Sequence, residues 1–235
     1  MLRGVGLRKV FKTGLFGGKR IVAVDGVSIE IEEGETVALV GESGSGKSTL
    51  GRILLMLIRP DEGKVFFDGI DLTKLRGKEL KRVRIKMQLI PQNPEEALDP
   101  RWRIYDSIAE PLRIHKLVDK SEEEDRILEL VKAVGLKEEH LTRYPWQLSG
   151  GELQRAVIAR ALALNPRFIV CDEPTSMLDL STQASIVRLL MKFQKMFGIS
   201  YLFITHDLEL AKVVADRILI MRSGKIVARR VESPS

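Results

Sequence analysis

"GESGSGKST", Gly41–Thr49, decides the architecture of this 235-residue chain. It follows the apolar run "TVALV" and opens a helical pattern, Lys47–Leu57, that stops at "RPDEG", where Pro60 and Gly63 break it. Gly41, Gly46, Lys47 and Ser48 fill the fixed positions of the P-loop pattern G-x-x-x-x-G-K-[ST]. The chemistry needs these residue types. Glycines let backbone N–H groups wrap phosphate oxygens, Lys47 reaches the β- and γ-phosphates, and the Ser48 hydroxyl can ligate Mg²⁺. The expected triphosphate site is therefore Gly41, Glu42, Ser43, Gly44, Ser45, Gly46, Lys47, Ser48 and Thr49, with Mg²⁺ accompanying the nucleotide.

Such a loop needs a carboxylate from the end of a neighbouring strand to hold the metal. "RFIVCDEP" closes an apolar strand pattern with Asp172, which suits that role, and with Glu173, which can face a water attacking the γ-phosphate. Two acids there are costly to bury without a cation or proton to share. His206 ends another apolar run, "YLFITHD", where an imidazole can hydrogen-bond the γ-phosphate and orient the water. Gln92, in "IPQNP" after a third strand pattern, offers its amide to Mg²⁺ or to the water, although a plain polar loop residue fits its local sequence equally. Cys171, the only cysteine, excludes an intrachain disulfide, reads as a small buried residue and fits a reducing compartment.

Strand patterns alternate with helical ones, which predicts an α/β fold with parallel strand pairs. "VSIEIEE" alternates as a half-buried strand should. Residues from about Pro94 to Arg143 are mostly helical in pattern and read as an inserted helical lobe; within it Ser121 and Glu124 have capping-box spacing. "RILIMRSGKIVARR" reads as a closing hairpin around Ser223–Gly224. No apolar run approaches the ~20 residues that span a bilayer. The start, "MLRGVGLRKVFK", lacks the apolar stretch of a secretion signal. The net charge of +6 suggests an anionic partner such as a nucleotide, nucleic acid or lipid headgroups. The basic run "KELKRVRIK" reads as a solvated helix face, and without zinc-finger or single-strand-binding patterns nucleic acid is not an expected partner.

"WQLSGGELQRA", Trp146–Ala156, places a second glycine turn at a helix start, about a hundred residues after the first. It too can aim N–H groups and a helix dipole at an anion. These motifs, in this order, resemble the nucleotide-binding subunits of ABC transporters over essentially the whole chain. "LSGGE" is similar to the family's signature motif, with Glu152 where many members carry Gln; Gln92 falls on the Q-loop and His206 on the switch histidine. "SMLD" falls on the D-loop, with Met177 where a small residue is usual. Phe11, in "LRKVFKTG", stands at the aromatic that stacks on adenine, though a Phe there fits a core equally.

The resemblance implies an α/β fold: a P-loop NTPase core with a mixed sheet, an N-terminal antiparallel β subdomain and an inserted α-helical lobe. One domain would cover 1–235, with core and β subdomain at about 1–93 and 144–235 and the lobe at about 94–143, extending into the signature helix. It implies that Lys47, Gln92, Glu173 and His206 serve catalysis and that Ser48, Gln92 and Asp172 serve Mg²⁺. Two such domains would pair head-to-tail, so that Ser149, Gly150, Gly151, Glu152 and Asp179 act in trans on the ATP held by the partner's P-loop.

"QNPEEALDPR" with "YPWQLSGGELQRAVIARALALNP" narrows the resemblance to importer ATPases of the oligopeptide, dipeptide and nickel group. Ala97–Arg101 stands where that group commonly reads Ser-Leu-Asn-Pro-Arg. This implies an ATPase at the cytoplasmic face of the cell membrane. Its partners would be a second ATPase subunit (a copy or a sister chain), integral membrane permease subunits and an extracellular substrate-binding protein. Members often carry a C-terminal extension, some with a cysteine-bound iron–sulfur cluster; the sequence ends at "VESPS" with one cysteine, so neither is expected. The alternative is an ABC-type ATPase outside transport, in a phosphonate-cleaving complex or on DNA.

Overall fold

The computed structural model describes residues 1–12 and 20–231. Strands β1 (Leu2–Lys12), β2 (Arg20–Ile31), β4 (Glu62–Phe67) and β5 (Ile70–Asp71) form an antiparallel sheet in the order β2-β1-β4-β5. The second sheet runs β10-β9-β3-β8-β7-β6. Its members are β3 (Thr36–Val40), β6 (Met87–Ile90), β7 (Phe168–Asp172), β8 (Ser200–Thr205), β9 (Arg217–Arg222) and β10 (Lys225–Val231). All its neighbours are parallel except β10, which returns antiparallel beside β9 through Ser223 and Gly224, both left-handed as in a type I′ hairpin turn. The mixed sheet, the separate antiparallel sheet and the α/β class agree with the expectation.

Every residue of β3, β7 and β8 is buried, which is why these strands read as continuous apolar runs. Successive side chains of β8 go to opposite faces: Leu202 and Ile204 join a cluster with Leu7, Ile31 and Leu50 under the antiparallel sheet, and Tyr201 and Phe203 join the other. That other cluster unites helices α3 (Ile104–His115), α4 (Glu123–Ala133), α5 (Gly150–Leu162) and α6 (Leu180–Phe197) through Ile108, Ile127, Ile158 and Phe193. The helices between Pro94 and Arg143 thus share apolar packing with the central sheet rather than enclosing a cluster of their own.

Two local expectations shift. Helix α4 begins at Glu123 behind Glu122, not at Ser121, and has no side-chain cap. Arg113 and the Tyr105 hydroxyl on α3 donate to the Glu123 carboxylate at 2.7 and 3.1 Å, and this charge-assisted anchoring sets the start instead of a serine hydroxyl. The first helix, α1 (Lys47–Leu54), stops three residues short of Leu57. Arg84, at the end of α2 (Gly77–Arg84), turns inward and donates to the carbonyls of Leu55 and Met56; with buried Leu80 and half-buried Val83 and Ile85 it forms the inner side of the basic run, whose lysines, Glu79 and Arg82 are solvated.

Candidate functional site

Strand β3 delivers the chain to Gly41, and the loop ends at Gly46, whose φ of 105° places it at the start of α1 with no side-chain cap. The first N–H groups of α1 therefore have no side-chain acceptor and suit an anion. Backbone on two sides dictates the glycines. A Cβ on Gly46 would lie 2.0 Å from the Ala23 carbonyl oxygen on β2, and one on Gly41 2.2 Å from that of Met221 on β9. The Ser45 hydroxyl is buried in the loop without a protein partner. Lys47 is 4% exposed, and its Nζ donates to the carbonyls of Gly41 and Glu42 at 2.7 and 2.9 Å. Burial lowers the pKa of this amine, against the opposing pull of Glu173 and Asp172.

Ser48 lies in the first turn of α1, and its hydroxyl donates to Asp172 Oδ1 at 2.8 Å. Asp172 is buried at the end of β7; burial raises its pKa, against the Ser48 hydrogen bond, Arg52 and Lys47. Glu173 follows with a φ of +47°, its N–H bonded to the Ile204 carbonyl at 3.0 Å. A left-handed non-glycine residue stores on the order of 1–3 kcal/mol, and here the turn aims the carboxylate across the strand ends. Glu173 Oε2 lies 3.2 Å from Gln92 Nε2 and 3.3 Å from His206 Nδ1. Because β6, β7 and β8 are adjacent and parallel, the residues just past their ends, Gln92, Glu173 and His206, meet at one point. This is the carboxyl edge of a parallel sheet, where open α/β folds place ligands.

The second glycine turn lies elsewhere. Ser149 caps α5, and both its N–H and its hydroxyl donate to Glu152 Oε2, at 2.9 and 2.8 Å. A Cβ on Gly150 would meet only a Leu178 methyl, at 3.2 Å, and one on Gly151 would meet Thr182 at 2.5 Å. Among the described residues no hydrogen bond or ion pair joins Gly41–Thr49 to Ser149–Glu152. Asp179 caps α6, accepting from the N–H groups of Ser181 and Thr182 and from the Ser181 hydroxyl. These bonds, Thr182 foremost, hold its carboxyl well below the usual range. Met177 and Leu180 beside it are largely exposed. Phe11 sits opposite Ile21, half-buried, with Lys9 Nζ 5.8 Å from its ring; Ile21 is two residues from Ala23, the neighbour of Gly46.

Sequence reasoning missed the carbonyls of Ala23 and Met221, and also His140, which is buried with Nε2 3.3 Å from Glu152 Oε1. No local motif marks any of them. Among the described residues no cluster of three His, Cys, Asp or Glu could hold a metal unaided, and no helix is long and apolar enough to cross a membrane.

Comparison with known proteins fits this geometry. The ABC transporter family matches residues 24–176. The oligopeptide transport ATP-binding protein OppF of Streptococcus mutans is 49% identical over 209 residues, covering 88% of this chain and 68% of the relative. The dipeptide transport ATP-binding protein DppF of Escherichia coli is 42% identical over 232 residues, covering 97% and 70%. The chain thus spans about two thirds of the length of these relatives. The dimeric structure of a post-hydrolysis state of the ATP-binding cassette MJ0796, bound to ADP and Pi, superposes with a TM-score of 0.90 at 34% identity over the whole of both chains. The chain belongs to the ABC transporter family, as one of its ATP-binding and ATP-hydrolysing subunits.

Proposed function

We propose that this protein, as a single ATPase domain, energises an importer of oligopeptides or dipeptides through ATP-driven head-to-tail pairing. The observation that carries the reading is the meeting of Gln92, Glu173 and His206 at three adjacent strand ends, on the same sheet edge as the Ser48–Asp172 pair. Loop N–H groups, the Ser45 hydroxyl and Lys47 bind the phosphates, and Phe11 covers the adenine. Ser48, Asp172 and the Gln92 amide hold Mg²⁺; few protein oxygens completed by phosphate and water are what this ion favours. Mg²⁺ supplies neutralisation of charge on the β- and γ-phosphate oxygens. Glu173 takes a proton from the attacking water, while Gln92 and His206 fix the carboxylate and water in place.

Ser149, Gly150 and Gly151 donate to the γ-phosphate held by the partner's P-loop, with Glu152 and Asp179 ordering the two turns. Two features support action in trans: among the described residues no hydrogen bond or ion pair joins the signature turn to its own P-loop, and exposed Met177 and Leu180 leave apolar surface for a partner to cover. A groove of about 620 Å³ between the end of α1, α2 and α3 is lined by Leu57, Ile85, Pro91, Ala97 and Ile114. A helix of a membrane permease subunit seated there would touch Pro91, the neighbour of Gln92, and so reach Glu173 in two steps. The protein accordingly works at the cytoplasmic face of the membrane, alongside permease subunits and an extracellular substrate-binding protein. Pull-down from solubilised membranes tests this: integral membrane subunits should come with the protein. Recovery of soluble lyase subunits or of DNA in their place would assign it to the non-transport ATPases.

A further inference from the structure

His140 lies in the 3-10 turn Glu138–Thr142 and is 5% exposed. Its Nδ1 accepts the Lys137 N–H at 3.1 Å, so the ring proton sits on Nε2. That nitrogen faces Glu152 Oε1 at 3.3 Å; Glu139, 3.9 Å away, is beyond hydrogen-bond range. The other Glu152 oxygen accepts both donors of Ser149. The Glu152 carboxyl is held below its ordinary range, by the Ser149 N–H first, then the Ser149 hydroxyl, with His140 a lesser contributor.

The Ser149 hydroxyl has one proton, and in this arrangement Glu152 receives it. A γ-phosphate arriving from a partner must draw that proton away. Glu152 then keeps two donors, the Ser149 N–H and His140, or only one if His140 is lost. We propose that His140 is a positioning residue for the signature turn: through Glu152 it fixes Ser149 and makes the serine hydroxyl releasable to the partner's ATP. The inference rests on the paired reading above and adds to it a side chain that touches no nucleotide.

Two substitutions separate the two ring nitrogens. His140→Asn keeps an acceptor near the position of Nδ1, for the Lys137 N–H, and drops the donor to Glu152. His140→Gln keeps a donor near the position of Nε2 and drops the acceptor. Each is placed in the Glu173→Gln protein, and light scattering reads the ATP concentration that gives half-maximal pairing, beside ATP affinity at protein concentrations too low to pair. Asn should raise that concentration roughly tenfold, the worth of one weak charge-assisted hydrogen bond, with affinity of the unpaired chain unchanged. Gln should pair as the parent does. In a Glu152→Ala background Asn should add no further defect. A role confined to closing the 3-10 turn gives the opposite order, with Gln impaired and Asn normal, and would overturn the inference. Asn pairing at the parent's ATP concentration overturns it too. A Glu173→Gln parent that stays monomeric in ATP refutes the paired reading itself, and the inference with it.

Discussion

Asp172→Asn should make the nucleotide-free protein more stable while removing its response to ATP with Mg²⁺. Burial is the largest influence on this carboxyl and raises its pKa above the ordinary 3.8; Ser48, Arg52 and Lys47 offset part of the rise, and Glu173 adds to it. An acid with a raised pKa binds its proton more tightly in the folded chain than in the unfolded one. Below the ordinary value the group is protonated in both states and there is no penalty. Stability then falls as pH climbs through the window up to the raised value, and above that the penalty is complete. Asn keeps the size and the acceptor for the Ser48 hydroxyl, 2.8 Å away, without the charge. Removing one partner of a balanced buried pair destabilises, but the net upward shift means these surroundings favour the neutral form. Lys47 retains Glu173 and two carbonyls. The expected gain is therefore at the low end of such replacements, about 1 kcal/mol, or roughly 2–4 °C in Tm for a chain of this size. Thermal unfolding without nucleotide, from about pH 4 to about pH 8, should show the gap between variant and parent opening as pH rises. Saturating ATP with Mg²⁺ should reverse the order, since only the parent gains the full binding stabilisation, about 2.7 kcal/mol at a hundredfold excess over Kd. A variant less stable than the parent at neutral pH, or a gap that does not change with pH, would refute the reasoning.

Glu173→Gln should keep ATP affinity and lose roughly 10²–10⁴-fold in turnover, trapping an ATP-bound dimer. Near-normal steady-state hydrolysis would remove Glu173 from the role of base. Lys47→Ala should weaken ATP binding roughly ten- to a hundredfold by calorimetry. It should also lower Tm without nucleotide, because Nζ already satisfies two loop carbonyls; unchanged affinity would count against the loop. Gly46→Ala should melt well below Gly44→Ala. Both positions are left-handed, a cost of roughly 1–2 kcal/mol, but only the Cβ at Gly46 meets a backbone carbonyl, at 2.0 Å. Equal melting temperatures for the two would show that the Ala23 carbonyl imposes nothing.

Local patterns carried most of the fold into view. The runs around Thr36–Val40, Phe168–Asp172 and Tyr201–Thr205 could be read as buried parallel strands because both faces of each are covered. Glu173, the histidine and the glutamine stood at pattern ends, and a parallel sheet brings the ends of adjacent strands to one edge; which strands are adjacent is not written in their order, since β3 lies between β8 and β9 and β6 at the sheet's margin. What stayed hidden depends on contacts between distant segments. Ser121 has the spacing of a cap, but the pull of Arg113 on Glu123 is invisible until α3 and α4 pack. His140 lies twelve residues before Glu152, and nothing in either local pattern announces their contact. The left-handed backbone of Glu173 could not be read from an acid pair.

The central claim is that the signature turn serves a partner's nucleotide, and a mixture of two defective proteins tests it most directly. Gly150→Val leaves the P-loop intact, and at that position a side chain first meets only the flexible end of Leu178, so the variant should fold. It should bind ATP as a monomer yet fail to pair, because the new side chain blocks close approach of the γ-phosphate to the backbone. Lys47→Ala has an intact signature and a defective P-loop. Neither protein alone should hydrolyse ATP appreciably. Mixed, they form hybrids in which one site joins an intact P-loop to an intact signature, so partial activity should return. A well-folded Gly150→Val protein that no longer binds ATP as a monomer, with no activity restored on mixing, would mean that the turn serves its own P-loop and would contradict the account.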